Sequence, residues 1–318
     1  MIESNIISTI KEVNTVAILP HVSIDGDALG SSIALAYAVK ELGIEPIIYI
    51  EEEIPLSYNF LPGTEFVEVY QGEVKKYDLV LALDTGDIER LGKRVEILKS
   101  ASDTINIDHH ATNTEFARLN LVKTTSSATG EIIYQLIKMM GLSLTKEIST
   151  CIYVAITTDT GGFRYKNTTS VTHQIVSDLI DNGVDVSWVS QLLFETMSLP
   201  KTKLMGLAIE TLQILEDGKV AVITVTDNMI KNAGAREEDC DGIVNIGRNI
   251  RGIEVAVLIR QNKNESFKIN LRSKKYVDVS VIANKLGGGG HKNAAGCTIN
   301  GYMDDIKAML LKEIKKVL

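Results

Sequence analysis

Three of the five histidines in this 318-residue chain stand among aspartates. His21-Val22-Ser23-Ile24-Asp25-Gly26-Asp27 follows directly on the apolar run Val16–Pro20. A second apolar run, Leu79–Leu83, ends abruptly at Asp84, and a third, Ile105–Ile107, runs straight into Asp108-His109-His110. A helical pattern closes at Asp159, just before Gly161-Gly162. Each stretch alone has a plainer reading. Asp27 and Asp84 would each cap a following helix, and the other two stretches would be a polar and a solvated turn. A cap needs one aspartate, however, and His21 with Asp25 and Asp27 is more than a cap uses. A carboxylate at the C-terminal end of a helix, as at Asp159, gains nothing from the helix dipole and needs a compensating cation.

Taken together, three strand ends and one helix end each deliver His or Asp, six or seven candidate ligands that form a carboxylate–imidazole set without thiolate. Such a set suits Mn2+ or Mg2+, with Fe2+ or Co2+ chemically compatible. The ligands are too many for one ion and about right for two. Two ions roughly 3.5–4 Å apart clamp the attacking and leaving oxygens of an in-line phosphoryl displacement. Late in the chain, Gly287-Gly288-Gly289-Gly290-His291-Lys292 offers a different chemistry. One glycine would serve as a helix C-cap, whereas four leave backbone N–H groups open to phosphate or carboxylate oxygens. Arg272-Ser273-Lys274 adds a guanidinium that can grip phosphate bidentately and a hydroxyl that can donate one more bond; its plainer reading is an exposed basic strand end.

The elements that must carry these residues are legible in outline. Val16–Pro20, Ile44–Ile50, Asp78–Leu83 and Thr104–Ile107 read as strands, and Gly30–Leu42, Ala128–Met140, Lys146–Ile156 and Val171–Asp181 as helices. That alternation predicts an α/β fold with a doubly wound parallel sheet, whose ligands lie beyond the carboxyl ends of the strands. Val220–Val225, Ile253–Ile259 and Ser266–Leu271 as strands, with Val279–Leu286 and Met303–Val317 as helices, predict a second, smaller α/β domain. The expected division is a metal-binding domain over 1–187, a linker over 188–210 and a substrate-binding domain over 211–318, with a cleft between the domains.

The net charge of −8 argues against a partner as long as duplex DNA, which calls for a basic stripe. The charge is uneven. Residues 211–318 hold 17 Lys+Arg against 13 Asp+Glu, while residues 1–210 hold 16 against 28. An acidic half suits cations and a mildly basic half a small anionic substrate. The N-terminal residues do not read as a signal peptide, and no stretch approaches the ~18 apolar residues of a membrane span. Cys151, Cys240 and Cys297 form neither a zinc spacing nor a disulfide framework, so a cytoplasmic location is expected.

His21-x3-Asp25-x-Asp27, Asp84, Asp108-His109-His110 and Asp159 resemble the four motifs of the DHH phosphoesterase superfamily. Gly287–His291 resembles the signature of the DHH-associated C-terminal domain of its RecJ-like branch. The resemblance spans nearly the whole chain, and its two-domain size is similar to the nanoRNase/pAp phosphatase group. It implies that His21, Asp25 and Asp84 hold one Mn2+, and that Asp27, Asp84, His109 and Asp159 hold the other, with Asp84 as bridge. It implies that His110 meets the scissile phosphate or aids the leaving oxygen, and that Asp108 orients the motif's histidines. Arg272, Ser273, Gly288, Gly289, Gly290 and His291 would grip a further phosphate, and a homodimer is implied. The expected reaction is hydrolysis of short oligonucleotides to mononucleotides and of pAp to AMP. A phosphodiesterase for cyclic di-AMP or pApA stands as the alternative enzyme, and a non-catalytic nucleotide-binding module as the alternative outside enzymes.

Overall fold

The computed structural model describes residues 2–262 and 266–318. The chain divides into two compact units, Met1–Thr196 and Met197–Leu318. In the first, six strands are all parallel: β1 (Thr15–Pro20), β2 (Glu45–Ile50), β3 (Val67–Val69), β4 (Leu79–Leu83), β5 (Asp103–Asp108) and β6 (Leu119–Val122). Their order is β3-β2-β1-β4-β5-β6. The chain winds outward from β1 to one side, then returns to β4 and winds to the other. A crevice opens at such a reversal, beside the carboxyl ends of β1 and β4.

Strands buried on both faces read as near-continuous apolar runs, and β4 is buried at every position. Val16, Ile18, Leu79, Leu81 and Leu83 face one core. They pack under α1 (Ile2–Lys11), α2 (Gly26–Glu41), α4 (Thr129–Met140), α5 (Lys146–Asp159) and α6 (Ser170–Asp181), whose buried residues join the same cluster. Ala17, Leu19, Val80 and Ala82 face the other side, covered by a 3-10 segment, Ile88–Arg94, and the short α3 (Val95–Ser100). A further short helix, α7 (Val186–Ser190), follows α6.

The close pairing of α2 with α5 has a specific cause. A Cβ on Gly30 would lie 2.4 Å from the Cys151 carbonyl oxygen, so only glycine lets the two helices approach this nearly. That approach sets the start of α2 against the end of α5, with Gly26 beside the Thr158 side chain. The start of α2 differs from the sequence expectation. The helix begins at Gly26, not Gly30, and its N-cap is Asp25, which accepts from the Ala28 N–H; Asp27 lies in the first turn. Because Asp25 satisfies the cap, the Asp27 carboxylate is turned toward other partners.

The second unit holds α8 (Leu199–Glu210), β7 (Gln213–Leu215), β8 (Val220–Val225), α9 (Asp227–Ala233), α10 (Ile243–Asn249), β9 (Val255–Gln261), β10 (Ser266–Ser273), α11 (Val279–Lys285), β11 (Gly289–His291), β12 (Ala294–Asn300) and α12 (Met303–Lys315). Its sheet runs β11-β12-β10-β9-β8-β7 and is antiparallel except at β8–β9. Among the described residues, no helix is long and apolar enough to cross a membrane.

Candidate metal centre

Register alone begins to assemble the site. Pro20 of β1 pairs with Leu83 of β4, and Leu83 pairs with Ile107 of β5. The next residue along each strand is therefore His21, Asp84 and Asp108, three side chains along one sheet edge at the reversal. Asp84 takes a left-handed φ of 53°, a conformation that aspartate tolerates better than most residues. Its N–H donates to the Ile107 carbonyl, and the buried Asn106 amide clamps the turn by donating to the Ala82 and Thr85 carbonyls.

The six predicted ligands come together. His21 Nε2 lies 3.5 Å from an Asp25 oxygen and 3.5 Å from Asp84 Oδ2. His109 Nε2 lies 3.6 Å from Asp84 Oδ1, 3.7 Å from Asp27 and 3.6 Å from Asp159. Asp84 thus turns one oxygen to each of two separate groups. Ligand atoms of His21, Asp25 and Asp84 converge within 4.8 Å of one another, as do those of Asp27, His109 and Asp159, and of Asp84, His109 and His110. Donors ~2.1 Å from a shared ion stand roughly 3–3.5 Å apart, close to these separations.

Both imidazoles present Nε2 to the carboxylates because Nδ1 is engaged elsewhere. His21 Nδ1 donates to the Val22 carbonyl at 2.7 Å, and His109 Nδ1 to the Ser126 carbonyl at 3.3 Å. A hydrogen bond of this kind fixes the tautomer of a metal-binding histidine. His110 is held differently. Its Nδ1 donates at 2.8 Å to Asp108, which is fully buried and also accepts from Asn113.

The electrostatics call for a cation. Burial pushes Asp27 well above the usual carboxylate range, and the charges of Asp84, Asp159 and Asp25 push the same way. Burial also raises Asp159 to about 6, against the lowering effect of His109. Burial disfavours a charged His21, yet Asp25 and Asp84 raise its imidazole to about 10. Asp108 stays low despite burial, because His110 and Asn113 bond to its charged form, and His110 is raised in return. Four carboxylates crowd around His21 and His109, and a nitrogen–oxygen donor set without sulfur fits a hard or borderline divalent ion.

Several contributors were not legible beforehand. Thr129 donates its hydroxyl to Asp84 Oδ1 at 3.0 Å, and the Thr129 and Gly130 N–H groups donate to Asp27 at 2.7 and 3.0 Å. Asn167 donates to Asp159 and to the Ser127 carbonyl. The small polar run Ser126–Gly130 ahead of a helix was the available signal, and it reads equally as a cap.

In the second unit, Arg272 of β10 pairs with Ala294 of β12, which pairs in turn with His291 of β11. Directly opposed residues share a sheet face, so Arg272 and His291 flank Ala294 in one row. Ser273 falls on the other face. It is buried, donates to the Lys292 carbonyl and accepts from Asn293, tying down the hairpin that carries His291. The glycine run is only partly an open loop, since Gly289–His291 forms the edge strand. A Cβ on Gly288 would lie 2.1 Å from the Gly296 carbonyl oxygen, so close approach to β12 demands glycine there.

A two-domain protein with this switch-point cage and this glycine-edged sheet has known counterparts. The chain belongs to the DHH family: the DHH family N-terminal domain matches residues 15–156, and the DHHA1 domain matches residues 217–318. It is 36% identical over 307 residues to the bifunctional oligoribonuclease and PAP phosphatase NrnA of Thermus thermophilus, covering 95% of this chain and 89% of that protein. It is 30% identical over 305 residues to the protein of the same name from Bacillus subtilis, covering 94% of each. Among solved structures, it is similar to an exopolyphosphatase-related protein from Bacteroides fragilis, with a TM-score of 0.94 and 26% identity over 99% of this chain and 96% of that one.

Proposed function

We propose that this chain hydrolyses short oligonucleotides to mononucleotides and pAp to AMP, using two divalent cations, Mn2+ by preference. That it is a phosphoester hydrolase follows from its family and from relatives so named; the substrates and the metal are the finer reading. One observation carries it: Asp84 directs its two oxygens to two separate His–Asp groups.

His21, Asp25 and Asp84 would hold one ion, and Asp27, Asp84, His109 and Asp159 the other. Bound there, the pair supplies a nucleophile at neutral pH and neutralises charge gathering on the phosphoryl oxygens. His110 acts beside them. Asp108 fixes its Nδ1–H and favours the imidazolium, which donates a proton toward the leaving oxygen. Arg272, His291 and the Gly288–Gly290 backbone grip the substrate phosphate that is not being cleaved, while Ser273 keeps the hairpin in place. In this reading catalysis would fall in residues 1–187 and substrate recognition in 211–318, with 188–210 joining them; the compact units divide at Thr196, and α8 (Leu199–Glu210) packs in the second.

A panel of pAp, short RNA oligomers, pApA and cyclic di-AMP, each with Mn2+, Mg2+ and Co2+, tests this reading. Turnover of pAp and of two- to five-residue RNA, fastest with Mn2+, is expected. Cyclic di-AMP as the best substrate would overturn the substrate assignment, and no turnover of any would favour a binding module.

A further inference from the structure

The segment between β6 and the first turn of α4 reaches four of the proposed ligands without being one. The Ser126 carbonyl accepts from His109 Nδ1. The Ser127 carbonyl accepts from Asn167, whose same amide nitrogen donates to the Asp159 carboxylate at 3.3 Å. The Thr129 and Gly130 N–H groups hold the two oxygens of Asp27, and the Thr129 hydroxyl holds Asp84. The segment is anchored from behind. Glu131 is buried, and its carboxylate accepts from the Ser127 hydroxyl at 2.6 Å, the Ser127 N–H at 3.2 Å and the Thr172 hydroxyl at 2.6 Å. Burying a carboxylate is costly unless hydrogen bonds compensate; two of these come from Ser127 in the loop and the third from Thr172 in α6, so Glu131 ties the loop to that helix.

We infer that Ser126–Glu131 is the positioning element of the ion site formed by Asp27, Asp84, His109 and Asp159, and that Thr129 is the residue through which it orients the bridging carboxylate. The inference rests on the two-ion reading above. A carboxylate rotates freely about its Cβ–Cγ bond. The Thr129 hydroxyl bonds Oδ1, the oxygen that faces His109, and so leaves Oδ2 toward His21. Asn167 does the equivalent for Asp159 through a side chain that is only half-buried. Hydrogen-bond partners of metal ligands set affinity, and their loss weakens metal binding roughly 10–100-fold.

The test is Mn2+ titration of the full-length, chelator-treated protein, followed by calorimetry and by paramagnetic resonance of the coupled ion pair. The variants are Thr129→Val, Thr129→Ser and Asn167→Ala. In Thr129→Val, one of the two binding steps should weaken about 10–100-fold and the coupled-pair signal should fade. Thr129→Ser should restore both, a rescue that loss of packing alone would not show. Asn167→Ala should weaken the same step. Should Thr129→Val fail to fold, Asn167→Ala decides. Parental titration curves in these variants would overturn the inference. A parent that takes up fewer than two Mn2+ would instead overturn the two-ion reading itself.

Discussion

Replacing Asp108 by asparagine separates the role of His110 from that of the ions. The change is neutral in size at a fully buried position. Asp108 Oδ1 accepts from His110 Nδ1 at 2.8 Å and Oδ2 from Asn113 at 2.6 Å. An asparagine keeps one acceptor and turns the other into a donor, so one of the two partners must face an N–H. Losing a hydrogen bond to a charged group costs about 1.5–3 kcal/mol, or roughly 10–150-fold in rate if all of it is felt in the transition state. If the amide turns to favour Asn113, His110 loses the acceptor that fixes its tautomer. The same replacement in a Ser-His-Asp triad costs about 10⁴-fold, which sets the upper bound. We expect kcat for pAp to fall by about 10²–10³-fold between these limits, with KM nearly unchanged and both Mn2+ retained. The pH profile should also shift, because Asp108 helps keep His110 protonated. Steady-state phosphate release and atomic absorption on the same preparation give both numbers. A kcat close to the parent's would refute the positioning role, and loss of one Mn2+ would make Asp108 itself a ligand.

Asp84→Ala should lose both ions and nearly all activity; retention of two ions by atomic absorption would contradict the bridge. The metal-free protein should become more stable as pH falls from about 8 to 5.5. Asp159, raised to about 6, and His21, raised to about 10, have folded pKa values above their unfolded ones. Their stabilising contribution is complete below the unfolded values and lost as pH rises through the folded ones. Excess Mn2+ should flatten or reverse the trend by competing with those protons, and melting temperatures with and without chelator would show it. Gly30→Ala should destabilise the first unit by about 1–3 kcal/mol through overpacking, outweighing a helix-propensity gain of about 1 kcal/mol; calorimetric unfolding measures the balance. His291→Ala should raise KM for pAp more than it weakens Mn2+ binding, and the reverse order would remove His291 from the substrate grip.

The parts of the molecule that could be read in advance are those where side-chain type is its own signal. Val16–Pro20, Leu79–Leu83 and Ile105–Ile107 are strand-like, mostly apolar segments that run straight into His or Asp, and the structure puts all three in neighbouring strands. Missed elements carry weaker signals. Strand β6 has four residues and is largely half-exposed, so it lacks the fully buried pattern. Strand β12 reads Ala-Ala-Gly-Cys-Thr-Ile-Asn, poor in branched residues, and is recruited by tertiary pairing with β10 and β11. Helix α1 buries Ile6, Ile7 and Ile10 at helical spacing, but so short a segment predicts little by itself. At the site, imidazoles and carboxylates announced themselves, whereas Thr129 and Asn167 contribute through hydrogen bonds of a kind that neutral side chains make everywhere. The plainer capping reading of Asp27 fell instead to Asp25 for a geometric reason: either can cap, and only the fold decides which one does.

The winding of the parallel sheet also bears on synthesis. His21 leaves the ribosome first and Asp159 well over a hundred residues later, so local structure cannot build the cage. Its walls meet only when β4 and β5 have docked beside β1 and α5 has closed over α2. A growing chain that ends before Asp159 therefore offers cations scattered acids and imidazoles. Assembly of the proposed metal site is accordingly a late event, coupled to completion of the N-terminal unit, and non-local contacts of this kind form slowly.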